Sequence, residues 1–162
     1  MARVSEPLVL DYRWTYPDRA YRHIDTIGVA DICYNMFEGH VLFSSGSADF
    51  SAHWDCISLL DFAAALLRAA EAGLRKQRFD FEYTHSDDRI SFASRNGDMI
   101  ISASYAPGTI GLPPKHFRAA TQDFARRILI DALGSNPRLR KNKAFVSWFP
   151  MPLPKTGASS SS

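Results

Sequence analysis

The stretch RFDFEYTHSDDRISFASRNGDMIISASY, residues 78–105, decides the fold. At its start Phe79, Phe81 and Tyr83 alternate with Asp80 and Glu82, the period-two pattern of a strand with one buried face. RISFAS follows the turn-forming SDD, and Asn96-Gly97 separates it from MIISASY. Asn-Gly favours a two-residue hairpin because a type I′ turn needs positive φ at both central positions. The spacing predicts three strands in an antiparallel meander.

Two helical patterns flank the meander. In SLLDFAAALLRAAEAG, residues 58–73, the apolar residues Leu59, Phe62, Ala63, Leu66, Leu67 and Ala70 recur at spacings of three and four. Ser58 and Asp61 have capping-box spacing, with Asp in place of Glu, and Gly73 suits a left-handed C-terminal cap. PKHFRAATQDFARRILIDALG, residues 114–134, begins at a proline, where no backbone donor is needed. Phe117, Thr121, Phe124, Ile128 and Leu129 form its stripe, and Gly134 is expected to stop it.

The N-terminal part reads as strand. PLVLDYRW (7–14) suits an edge because of Pro7. DTIGVADICYNMF (25–37) and HVLFSS (40–45) are expected to join in a hairpin at Glu38-Gly39, and Ser45-Gly46-Ser47 turns the chain into ADFSAHW (48–54). Residues 106–113 read as an irregular, exposed loop, and NPRLRKNKAFVSWF (136–149) as a tail strand. This order lacks βαβ alternation. The expected fold is therefore α+β: an antiparallel meander sheet of about six or seven strands, with two amphipathic helices packed on one face. Residues 1–149 form the single domain, and the Pro- then Ser-rich stretch 150–162 is expected to be disordered.

Composition fits an ordinary globular domain: 162 residues, 46% hydrophobic, 22% charged. A net charge of +2 is too mild to imply nucleic acid or an anionic membrane. MARVSEPLVLDYRW lacks a secretory signal pattern, and DFAAALLRAAEAGL is too short and too charged to cross a bilayer. A reduced, cytoplasmic setting is expected, with Cys33 and Cys56 as free, small core residues.

The tetrad HWDC, residues 53–56, has the residue types of an active site. On a strand, however, His53 and Asp55 point away from Trp54 and Cys56, so a local His–Cys dyad is geometrically poor. No nucleophile elbow or P-loop is present. His23, His40, His53, His85 and His116 are isolated, without CxxC, HxxxH or HExxH, and Asp87-Asp88 reads as turn chemistry. The expectation is a protein without catalysis, metal or cofactor. The strongest candidate contact set is Arg138, Arg140, Lys141, Lys143, Trp148 and Phe149, where cations stand beside aromatics. Such a set suits a protein partner through Arg and aromatic anchors. It also suits, as a weaker alternative, a nucleic acid bound by the basic segment 138–143. An enzyme of unrecognised type is the remaining alternative.

The order of elements in ADICYNMFEGHVLFSSGSADFSAHWDCISLLDFAAALL, continued by the meander and the helix FRAATQDFARRILIDAL, resembles immunity proteins of bacterial polymorphic-toxin systems and neighbouring actinobacterial domain families. The likeness covers roughly residues 8–140 and rests on hydrophobic pattern and element order. It implies a protein that neutralises a cognate bacterial toxin by direct binding, with no catalytic residues to carry over. Immunity proteins against nucleases are often acidic, so this mildly basic chain implies a toxin of another kind.

Overall fold

The computed structural model describes residues 6–155. The fold is α+β, and the described residues form four α-helices and two antiparallel sheets of four strands each. In the first sheet β2 (Glu38–Ser45) is central. It pairs on one side with the edge strand β1 (Val9–Trp14), with Tyr12 opposite Val41. On its other side lie the short β3 (Ala48–Asp49) and β4 (Ala52–Ser58). The second sheet is the meander β5 (Phe79–Glu82), β6 (Arg89–Arg95), β7 (Asp98–Ala103) and β8 (Ala106–Leu112). Asn96 and Gly97 both have positive φ, 52° and 85°, between the paired residues Arg95 and Asp98, as the type I′ turn requires. The strands thus divide between two sheets, which touch where β3 meets β8.

Helices α2 (Leu59–Leu74) and α3 (Pro114–Ser135) pack on each other and bridge the sheets. α2 contacts β2, β4, β5 and β6, while α3 contacts β1 and β7. Every member of the apolar stripe expected in either helix is buried. α2 is buried beyond its stripe, at Leu60, Ala64, Ala65 and Ala69 as well, because it lies between both sheets, α3 and the short α1 (Val29–Asn35). Its alanines supply small surfaces for that close packing.

Several local expectations change. Residues 29–35 are helix α1 rather than strand: Val29, Ile32, Cys33 and Met36 have helical spacing, and this outweighs the β-branched content. No hairpin forms at Glu38-Gly39, which begin β2; the chain turns at Phe37, whose φ is +56°. Gly39 is required for a different reason, since a Cβ there would run into the Arg13 carbonyl across the β1–β2 ladder and into Leu59. Gly73 lies inside α2, where Met99 packs against it, and Lys76, at φ +57°, makes the left-handed turn. Ser58 occupies the N-cap position but makes no cap bond; its hydroxyl donates to the Ile32 carbonyl at 3.1 Å. Residues 106–112 form β8 rather than a loop: Ala106 and residues 110–112 pair with β7 across a bulge at 107–109, with Ile110 and Leu112 buried. The tail strand is instead a 3-10 turn (Pro137–Lys141) followed by helix α4 (Lys143–Trp148). Of the Pro-rich end, Met151 and Leu153 pack against the core, and residues 156–162 lie outside the described residues.

Candidate functional site

HWDC forms a bulge. Gly39 pairs with Ile57 and Val41 with Ala52, so His40 alone on β2 faces His53, Trp54, Asp55 and Cys56 on β4. Asp55 takes φ +62°, and its carbonyl accepts a hydrogen bond from the Thr15 hydroxyl at 2.9 Å. Its carboxylate meets His40 Nε2 at 2.7 Å, and the His53 ring lies 5.7 Å from that of His40. Trp54 and Cys56 leave the bulge on the other side and line a cavity. His53 and Asp55 therefore gather at His40 while Trp54 and Cys56 line the cavity, in keeping with the alternation expected for the tetrad.

The cavity lies between β4, the start of α2 and the β5–β6 loop, with a volume of about 150 Å³. Trp54, Phe81 and Tyr83 form aromatic walls, while Ser58, Asp61 and His85 supply polar groups. The Trp54 ring meets Tyr83 edge-on, with centroids 4.7 Å apart, and Tyr105 at 5.3 Å. The two tyrosine hydroxyls are 3.0 Å apart, and Tyr105 donates to the Phe50 carbonyl at 2.6 Å. Burial, with Tyr105 beside it, pushes the Tyr83 hydroxyl far above the ordinary tyrosine range. The cavity continues into an open groove of about 670 Å³ along α1, bordered by Tyr34, Arg68 and Trp148. Tyr34 is 50% exposed and Trp54 37%, so each end of the cleft presents a large aromatic to solvent.

Asp61 borders both the cavity and the groove. Burial raises its carboxyl above the ordinary range, and the Cys33 thiol and the Arg68 charge only partly offset this. Among the described residues no ion pair includes Asp61. Arg68 is directed instead to the Trp148 carbonyl, at 3.0 Å, and to the Trp148 ring, 4.9 Å from its centroid. His85 Nε2 lies 3.2 Å from the Tyr34 carbonyl; a carbonyl only accepts, so this nitrogen carries the proton. Burial, then the neighbouring Asp61, pushes the Cys33 thiol up to about 12, which leaves it a poor nucleophile at neutral pH. Cys56 is half-buried on the cavity wall rather than in the core, and both thiols are free.

Asp61→Asn follows as a test. With its folded pKa raised, Asp61 opposes folding once ionised, above that pKa, and not below the unfolded value of 3.8. The variant is therefore expected to melt higher than wild type at neutral pH, with the gap closing as pH falls through the raised pKa and gone below 3.8. Thermal melts across pH measure this.

The six contact residues expected from sequence fall in different settings. Phe149 is 4% exposed and packs with Phe145 in the core. Trp148 is half-buried under Arg68 at the groove. Arg138 pairs with Asp25 at 2.6 Å, Arg140 is half-buried, and Lys141 and Lys143 are exposed. Only Trp148 therefore borders the cleft. Asp61 and Tyr34 escaped sequence reading: the first resembled a capping residue and the second sat in an apparent strand. The helical spacing of residues 29–36 was the available signal for Tyr34.

Among the described residues no three His, Cys, Asp or Glu side chains converge as metal ligands, and no helix is long and apolar enough to cross a membrane. Searches of protein-family models, of curated proteins and of solved structures each find no match to this chain.

Proposed function

We propose that this chain is a non-catalytic binding protein whose recognition face is the cleft between Tyr34 and Trp54. The observation that carries the reading is the pairing of exposed aromatic rims with a concave, partly enclosed centre. Exposed Trp and Tyr around a desolvated centre are the residues on which protein interfaces concentrate their binding energy. The unreactive Cys33 thiol fits binding better than covalent chemistry. A cognate bacterial toxin is the partner that the resemblance in element order implies, held over an interface of about 1,600 Å².

The nucleic-acid reading of segment 138–143 has less support. Arg138 is neutralised by Asp25, and the neighbouring Phe145 and Phe149 are buried, so no stacking platform accompanies the basic residues.

The test is co-expression with the toxin-like product of an adjacent gene. Wild type is expected to restore growth and to co-purify with that product. Trp54→Ala and Tyr34→Ala, both folded, are each expected to weaken the complex by about 2 kcal/mol or more, roughly thirtyfold in Kd. Undiminished affinity in both variants would remove the cleft from the interface.

A further inference from the structure

We infer that the enclosed end of the cleft receives a guanidinium, the side chain of an arginine presented by the partner, with Asp61 as its counter-ion. This names the chemistry of the recognition face proposed above and rests on that reading. Asp61 is a carboxylate among aromatic walls with no ion-pair partner among the described residues, because Arg68 is drawn away to Trp148. A charge so placed is costly until it is paired. Trp54, Phe81 and Tyr83 line the same cavity, and aromatic rings attract a cation once water is excluded. A planar guanidinium satisfies both demands together, by forking onto a carboxylate and stacking on rings.

Size agrees with this assignment. A cavity of about 150 Å³ holds a benzene-sized group, and a guanidinium is smaller than benzene. The open groove beyond leaves room for the chain that carries the arginine. The other titratable groups lining the cavity and groove with Asp61 are Cys33 and Tyr34 on α1, Arg68 on α2, Cys56 on β4, Glu82 on β5, and Tyr83 and His85 from the end of β5 and its loop. The Cys33 thiol, the Tyr83 phenol and the Asp61 carboxyl are all pushed upward by burial, so these surroundings disfavour each ionised form until it is paired. A guanidinium beside Asp61 offsets that burial cost by stabilising the ionised carboxylate.

The experiment is a heteronuclear NMR titration of the full chain with ethylguanidinium, against the neutral isostere N-ethylurea at matched ionic strength. The expected result is saturable shifts of the Trp54 indole N–H and the Ser58 and Ser86 amides with ethylguanidinium only. These shifts vanish in Asp61→Asn. In wild type they also weaken on acidification, through a pH above the ordinary carboxylate range, so the test does not depend on a variant that folds. Equal shifts with N-ethylurea, persistence in Asp61→Asn, or no saturable shift at neutral pH would each overturn the assignment. Any of these would leave the Trp54 and Tyr34 partner-binding result standing, so the two proposals fail separately.

Discussion

Phe62→Ala is expected to lower the unfolding free energy by about 3–5 kcal/mol, a large share of the roughly 5–15 kcal/mol that holds a domain folded. Phe62 is fully buried on α2, where the two sheets and α3 converge. Its ring meets Phe81 of β5 at 5.5 Å and Phe124 of α3 at 5.9 Å, both edge-on, and lies nearly parallel to Tyr83 at 6.2 Å. Truncation therefore removes transfer energy, leaves a void between rigid elements, and deletes aromatic pairs worth about 0.5–1.5 kcal/mol each. Urea denaturation should show a lower midpoint with the slope unchanged. Ile130→Ala, on the exposed face of α3, is the control, expected within about 0.5 kcal/mol of wild type. Equal midpoints for the two variants would mean that the aromatic cluster does not join the layers.

Asn142→Ala is expected to cost about 2–4 kcal/mol, although it removes no apolar surface of consequence. The Asn142 side chain is buried and makes three hydrogen bonds. Its amide donates to the carbonyls of Ile24 and Ile27, each at 2.8 Å, and its oxygen accepts from the Phe145 N–H at 3.0 Å, capping α4. Alanine leaves two carbonyls and one N–H without partners. Asn142→Asp keeps the cap but sets a carboxylate against the two carbonyls, so it should rescue nothing at neutral pH. Recovery of stability in Asn142→Asp would show that only the cap matters. Asn136 acts alongside: its amide donates to the Arg19 carbonyl at 2.9 Å, and its oxygen accepts from the Tyr21 N–H at 2.8 Å. Together the two asparagines fasten the irregular segment before α1 to the C-terminal turns.

These asparagines show what sequence pattern reaches and what it misses. The meander was legible because its signals are local: two-residue alternation and an Asn-Gly turn whose geometry only a few residues adopt. α2 and α3 were legible because each carries a long periodic stripe. α1 was misread because Ile32 and Cys33 resemble strand residues, and a helix of this length has too few turns for its period to dominate. Segment 136–149 reads as a strand because the bonds that hold its turns, from Asn136 and Asn142, go to partners more than a hundred residues away in sequence.

The cleft was the least legible part. Asp61 carries the same side chain whether it caps a helix or faces a cavity; the difference lies in Trp54 of β4 and in Phe81 and Tyr83 of β5 and its end, which line that cavity. HWDC drew notice for His53, Asp55 and Cys56, yet Trp54 is the member that forms the rim. The bulge that orients it depends on a single residue, His40, facing four.

The most direct test of the recognition face is amide hydrogen exchange on the chain, free and in complex with the adjacent-gene product. Slowed exchange is predicted in α1 and in segments 53–58 and 81–86, which line the cleft. Exchange in the basic segment 138–143 is predicted to be unchanged. Protection confined to 138–143, with the cleft segments exchanging as in the free chain, would contradict the account.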